Sequence, residues 1–248
     1  MGAEPDLERI QVKAQDRGNP SFVWRAGQER RLNLVCQHVN LDGKRVLDAG
    51  CGIGMYVAAF GRAGALAYGV DIEADRAKLA QSLAARIVAG SVEALPFADQ
   101  TFDVVFSHEV IEHVGDDAAA IREAARTIRP GGYVVVYAPN RWYPFETHGI
   151  EWRGAYHFGN YPLVNYLPNV WRDRLVPHVR AYTRRQIRAL FVGTPLRIMA
   201  HTQIYPGFDN VVARRPALGR LLRIVLYALE HTPLRAFGLS HFIVAVRE

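Results

Sequence analysis

The chain has 248 residues, half of them apolar and 22% charged, with a formal net charge of +6. That profile fits one well-packed α/β domain over 1–248 and excludes a disordered or collagen-like chain. Two cysteines, Cys36 and Cys51, are too few for a disulfide framework, the charged N-terminus is not a signal peptide, and no apolar run is long enough to span a bilayer. A cytoplasmic protein is therefore expected. The positive charge gathers in arginines between Arg172 and Arg223, a surface that suits an anionic substrate, a membrane, nucleic acid or plain solvent.

Residues 1–40 read as a helical extension with a periodic stretch from Gln28 to Val39, and Phe22 and Trp24 in front of it either cap the core or close over a ligand. From 44 to 138 strand and helix patterns alternate five times, which predicts a mostly parallel sheet with helices on both faces. A short strand ends at Asp48 and runs through a glycine turn into a helix from Met55. The strand Leu66–Val70 is closed by Asp71, and Gly90–Phe97 leads to the strand Phe102–Ser107. A helix from Asp117 to Ile128 is stopped by Pro130-Gly131-Gly132, ahead of the strand Tyr133–Ala138.

Residues 141–182 lose both periods and hold nine aromatic residues from Trp142 to Trp171 among prolines, a composition expected of a substrate lid inserted after the fifth strand. A helix Thr183–Phe191 and a sixth strand Leu196–Ile204 follow. The second insertion, 207–237, carries a helix from Pro216 to Leu229, and Ser240–Val246 forms the last strand. In that helix Leu218, Leu221, Leu222, Val225, Leu226 and Leu229 share a face, with Arg215, Arg220 and Arg223 toward its edges or opposite. Such a stripe is most often packed on the domain core, and with arginines beside it the same pattern also fits a helix lying on an anionic membrane.

The most informative stretch is Val46-Leu47-Asp48-Ala49-Gly50-Cys51-Gly52-Ile53-Gly54, read as strand, tight turn and helix start. Glycines there let a ligand sit against the main chain at a helix N-terminus. Met55 stands where the third glycine of a dinucleotide fingerprint would be. With Asp71, Gly90–Phe97, Phe102–Ser107 and Arg129-Pro130-Gly131-Gly132 following in order, the series resembles the class I S-adenosylmethionine-dependent methyltransferases, in particular the type 11 and ubiquinone-pathway O-methyltransferases. The resemblance runs motif by motif over roughly 40–140 and is patchy beyond. It implies a Rossmann-like sheet with an antiparallel last strand. It also implies S-adenosyl-L-methionine as cofactor, with Gly50, Cys51 and Gly52 at its tail, Asp48 on the amino group, and Asp71 and the following Ile72 at the ribose. Ser91, Val92 and Glu93 then fall at the adenine edge, and Ser107 and His108 beneath the methionine moiety.

After the fourth strand comes Glu109-Val110-Ile111-Glu112-His113. On a helix, Glu109, Glu112 and His113 share one face and could form half of a divalent-metal shell. The segment resembles the Glu-x-x-Glu-His of two cation-binding groups, the ubiquinone-pathway O-methyltransferases and the small-RNA 2′-O-methyltransferases. In both, a later His completes the site, and His178 has that position here. A magnesium, manganese or zinc ion on Glu109, Glu112, His113 and His178 is one expectation. The other is a metal-free site in which His113 is a base, with His148 a second catalytic candidate and His157 in reserve. The leading reading is O-methylation of a small or lipid-like acceptor by an enzyme with possible peripheral membrane contact. RNA 2′-O-methylation is the runner-up, disfavoured because no RNA-binding module is apparent, and a non-catalytic binding domain of the same fold is third.

Overall fold

The computed structural model describes residues 24–81 and 86–248. The expectation for Phe22 lies outside them. Helix α1 (Ala26–His38) precedes β1 (Arg45–Ala49), α2 (Met55–Arg62), β2 (Leu66–Asp71), α3 (Ala74–Ala80), β3 (Ile87–Ala89), β4 (Phe102–His108), α4 (Asp117–Thr127) and β5 (Ile128–Pro139). After the first insertion come α6 (Arg184–Ala189) and β10 (Leu196–Ile204), then the second insertion with α7 (Asp209–Arg214) and α8 (Pro216–Leu229), and finally β11 (Ser240–Arg247).

The large sheet has the order β10-β11-β5-β4-β1-β2-β3. Strands β1 to β5 pair in parallel, and β11 runs antiparallel to both β5 and β10. A strand buried on both faces is mostly apolar, and β4, Phe-Asp-Val-Val-Phe-Ser-His, is buried at its first six positions, with Asp103 accepting from Arg45 N–H at 2.7 Å. The period of two then sorts its residues. Val104 and Phe106 join α1 and α2 in one core, with Val35 and Phe60, while Val105 faces α4 and α6 in the other, with Ile121 and Ile187. This is the Rossmann-like sheet of the class I methyltransferase fold.

Four features differ from the sequence-based expectation. Glu109 to His113 is not helical: Glu109 takes a left-handed backbone (φ 55°), a single turn bond joins His113 N–H to the Val110 carbonyl, and the helix begins only after Asp116 caps Ala119 N–H at 2.8 Å. β5 starts at Ile128, because Pro130-Gly131-Gly132 is absorbed as an irregularity in the strand where the register with β4 slips between Phe102 and Val104. The aromatic insertion is not unstructured. It folds as two small antiparallel pairs, β6 (Phe145–Glu146) with β9 (Tyr161–Pro162) and, nested between them in the chain, the hairpin β7 (Ile150–Trp152) with β8 (Ala155–His157), followed by α5 (Asn169–Leu175). Strands of two or three residues are too short to show a period.

The fourth concerns α8, whose face is turned from the one expected. Gly219 is buried against Val212 of α7, and Arg223 points inward to the Gly207 carbonyl and Asp209. Leu218, Leu221 and Val225 stay exposed. Gly219 sets the rotation, since a side chain there would meet the α7 backbone.

Between β10 and β11, His201 Nε2 lies 3.0 Å from His241 Nδ1, and His241 Nε2 donates to the Tyr182 carbonyl at 2.8 Å. Burial, reinforced by His241 and nearby arginines, pushes His201 down to about 3, and burial likewise brings His241 to about 4. In the unfolded chain both would take a proton near pH 6.5. The unfolded state therefore binds more protons in acid, and the stability contributed by the neutral pair is complete above about pH 6.5 and lost as pH falls toward 4. Urea midpoints should drop from about pH 7.5 to about pH 5, and His201→Gln should make that slope shallower. A slope unchanged in the variant would show that the pair does not carry it.

Candidate functional site

The parallel strands β1, β2 and β4 end at one edge of the sheet, and a cleft of about 750 Å³ opens there. Its floor is the glycine turn. Gly50 and Cys51 N–H both donate to the Val70 carbonyl (2.8 and 2.9 Å), which ties the end of β1 to the end of β2. Asp71 then takes Gly52 N–H on one oxygen (2.8 Å) and Glu73 N–H on the other (3.0 Å). Gly50 has φ 88°, and a Cβ there would run into Val110; Gly52 has φ 53°, and a Cβ there would meet only open space. The turn therefore leaves main chain bare toward the cleft.

Asp48 is buried on this floor, and burial, with Asp71 nearby, raises its pKa well above the carboxylate range. A carboxylate so placed favours a cationic partner. His108 is packed among Phe106, Tyr56 and Tyr137, its Nε2 buried without a partner, and burial with Arg31 nearby lowers it to about 3. It is neutral at any ordinary pH. On the lip, Ile72 is 74% exposed, an apolar side chain open to a flat ring. Ser91, Val92 and Glu93 line the same rim, with Glu93 also accepting from Asp116 N–H at 2.6 Å. Of the cofactor residues expected from sequence, all line the cleft except Ser107, which points to the opposite side of the sheet, toward Ala49 and Ile121. Strand alternation explains it: His108 faces the cleft, so its neighbour cannot.

Beside the floor lies a cluster of acids and imidazoles. Glu112 is buried with both carboxylate oxygens unpartnered, and burial, then Glu109, raises its pKa strongly. One oxygen lies 4.0 Å from His113 Nε2. Burial and His148 bring His113 down to about 4, although its ring opens into the cleft. Ligand atoms of Glu112, His113 and His148 all fall within 4.8 Å of one another. Glu109 accepts from the Ser240 hydroxyl at 2.9 Å and lies 3.9 Å from His148 Nε2. Burial would raise Glu109, but it is outweighed by the neighbouring His108, His148 and Arg31 and by the Ser240 hydrogen bond, so the pKa falls. His178 lines the cleft with its Nε2 on the His148 carbonyl (3.2 Å) and Nδ1 3.9 Å from Glu151. His157 stands exposed on its hairpin and does not line the cleft.

The turn after β4 brings Glu109, Glu112 and His113 together, where a helix was expected to do so. The aromatic insertion adds His148, and behind it a relay not anticipated from sequence. Glu146 Oε1 accepts from His148 N–H (2.9 Å) and sits 3.0 Å from His148 Nδ1. Its other oxygen takes Arg172 Nη2 at 2.8 Å. Arg172 is fully buried, donating also to Asn165 and to the Val179 carbonyl. Against the effect of burial, the His148 bonds and the Arg172 charge hold Glu146 at about 2. Read from sequence, Arg172 belonged to the basic surface; nothing in its neighbours marks it as interior. Tyr56, Arg76, Glu151 and Tyr156 also line the cleft and carried no sequence signal beyond their elements.

Known proteins resemble this chain in sequence and in fold. A family described as a methyltransferase domain matches residues 47–136. A ubiquinone biosynthesis O-methyltransferase from Xanthomonas oryzae pv. oryzae is 34% identical over 163 residues, 59% of this chain and 68% of that protein. Another, from Paracidovorax citrulli, is 40% identical over 121 residues (45% and 50%), and a demethylmenaquinone methyltransferase from Corynebacterium kroppenstedtii is 34% identical over 119 residues (48% and 49%). The chain thus spans about half the length of these last two. An S-adenosylmethionine-dependent methyltransferase from Mesorhizobium loti superposes with a TM-score of 0.61 at 18% identity, covering 87% of this chain and 96% of that one. The [4+2]-cyclase SpnF does so with 0.59 at 17% identity, covering 99% and 92%, a likeness of fold alone. With the glycine turn, the acids at the ends of β1 and β2 and these relatives in agreement, the chain belongs to the class I S-adenosylmethionine-dependent methyltransferases.

Proposed function

We propose that the protein is an S-adenosylmethionine-dependent methyltransferase, one catalytic domain that O-methylates a small or lipid-like acceptor held under the 141–182 insertion. The observation that carries this is a cluster of Glu112, His113 and His148 beside the cleft, with His113 opening onto the same space as the bare glycine floor. The floor fits the cofactor on its own terms: a carboxylate made costly by burial at Asp48, an acid at the end of β2, and main chain open at Gly52. Bound S-adenosylmethionine would supply an electrophilic methyl on a sulfonium.

The chain's own residues would do the rest. Asp48 binds the ammonium of the tail, and Asp71 accepts from the ribose hydroxyls while holding the turn. His108 stays neutral beneath the methionine moiety, so it does not repel the sulfonium. The aromatic insertion shields the acceptor from water and aligns its oxygen. Glu146, accepting from Nδ1–H of His148, would leave Nε2, beside Glu109 and the His113 ring, to take the acceptor's proton. His113, neutral above about pH 4, can accept a hydrogen bond from the same hydroxyl.

The cluster also fits a divalent cation. Two buried carboxylate oxygens without partners and two imidazoles form a mixed oxygen and nitrogen set, and the opposed Glu109 and Glu112 gain from a positive charge. Glu112, His113 and His148 would hold it, with Glu109 and His178 at the margin. Magnesium, manganese or zinc there would lower the pKa of a bound hydroxyl. No described helix is long and apolar enough to cross a membrane. This reading makes the protein cytoplasmic, meeting a lipid-like acceptor at the membrane periphery.

Asp71→Ala should weaken S-adenosylhomocysteine binding by about 1.5–3 kcal/mol for each charge-assisted bond lost. Calorimetry that finds the affinity unchanged would remove the cofactor assignment. Glu146→Gln should lower kcat roughly 10–100-fold while leaving cofactor affinity intact, because it loosens His148 without touching the floor. Steady-state kinetics after chelator treatment, with metal analysis, decides between the two forms of the cluster. Activity lost to chelator and restored by one divalent ion supports the metal; chelator-insensitive activity leaves His148 as a plain base.

A further inference from the structure

At about 3.6 residues per turn, α8 should turn charge outward if water were its only neighbour. It does the reverse. The inward side carries Gly219, Arg223 and Tyr227, bound to α7 and to the Gly207 and Pro206 carbonyls. The outward side shows Leu218, Leu221, Ile224 and Val225, 42%, 57%, 70% and 48% exposed, with Arg220 as its single charge. Apolar surface gathered on one exposed helix face marks a surface that something else covers.

The charges around that face indicate what covers it. The only acids between 205 and 239 are Asp209 and Glu230. Both turn inward, Asp209 to Arg223 and the Gly27 amide, Glu230 to Arg30 and the Tyr205 amide. Arg214, Arg215 and Arg220 are exposed and form no ion pair among the described residues. They flank the N-terminal turns of α8, where no acid stands and where the helix dipole opposes positive charge. A surface rich in negative charge and apolar beneath satisfies both the arginines and the leucines.

Topology places this face on the working side of the molecule. β10 and β5 both run antiparallel to β11, so they point the same way. The second insertion leaves the carboxyl end of β10, and the aromatic insertion leaves the carboxyl end of β5. Both rise from the edge at which the cleft opens. The aromatic insertion also shows exposed apolar residues, Trp142, Val170 and Trp171 among them, and Asn140 at its root ties it to the Ala236 and Gly238 carbonyls of the second insertion.

We propose that the outward face of α8, with Arg214, Arg215 and Arg220, docks the protein onto an anionic lipid bilayer, presenting the cleft to the membrane. The proposal rests on the reading of a lipid-like acceptor and specifies the surface by which that acceptor is reached. Docking has two components, insertion of the four apolar side chains at the headgroup boundary and attraction of the three arginines to anionic headgroups.

The test is co-sedimentation of the whole protein with vesicles of equal parts phosphatidylglycerol and phosphatidylcholine, or of phosphatidylcholine alone, at about 50 and 300 mM salt. Binding should be strong on the anionic vesicles at low salt, weaker at high salt and weaker by about tenfold or more on neutral ones. Leu221→Glu with Val225→Glu should remove it, and Arg214→Glu with Arg215→Glu should remove the preference for anionic lipid. All four positions are exposed, so circular dichroism melts and S-adenosylhomocysteine affinity should be unchanged. Absence of binding at low salt, equal binding to neutral vesicles, or full binding by the Leu221/Val225 variant would overturn the proposal. So would a dimer in sedimentation that Val225→Glu dissolves, because the face would then belong to a second copy. Cofactor affinity is a separate readout: a protein that binds S-adenosylhomocysteine but not vesicles loses only this inference, and one that binds vesicles but no cofactor loses the methyltransferase reading instead.

Discussion

Five acids meet at the carboxyl edge of one sheet, Asp48, Asp71, Glu109, Glu112 and Glu146, and four of them are nearly or fully buried. In a low-dielectric interior, like charges at close range cannot all ionise without compensation. The structure answers differently at each. Asp71 accepts from two backbone N–H groups, and Glu146 is held charged by Arg172 and His148. Glu109 has Arg31 and a serine hydroxyl. Asp48 and Glu112 are given no cation by the chain, and burial raises both. These two are the positions where a bound positive charge would stabilise the protein most.

On the proposed function, a ligand bearing an ammonium and a sulfonium would meet the need at Asp48, and an acceptor hydroxyl or a divalent ion would meet it at Glu112. The imidazoles are tuned in the same sense. His108, His113, His201 and His241 are all held well below their ordinary range by burial first. None adds positive charge near a cationic cofactor. Among the described residues only His148 has a carboxylate at hydrogen-bonding distance from its ring, and a carboxylate there favours the proton on Nδ1.

The two insertions divide the remaining work. The first brings His148 and its support, Glu146 and Arg172, to a site whose other members follow β4. A buried arginine with three partners is costly to place, and its three bonds, to Asn165, the Val179 carbonyl and Glu146, lock β6, the segment before α5 and the chain near 179 together. The second insertion contributes no residue to the cleft. Its helix is held to α1 and α7 through Arg30 stacked on Tyr227 and through Gly219, leaving its apolar face outward.

Local chemistry in the chain was enough to determine the sheet, the glycine turn, Asp48, Asp71 and the boundaries of α8. Each depends on short-range rules: apolar runs of strand length, glycine where φ is positive, an acid at a strand end, a period of 3.6. It was also enough to single out Glu109, Glu112 and His113 as a group, though for the wrong backbone, since a left-handed residue at Glu109 replaced the expected helix. What joins His148 to that group, buries Arg172 and gives Ser107 to the far side is contact between segments remote in sequence and the alternation of a strand whose register only pairing sets. The direction of α8 was likewise a tertiary decision. An apolar stripe fixes that a helix has a preferred side, but the close approach of Gly219 to Val212 decided which side the protein kept and which it left open.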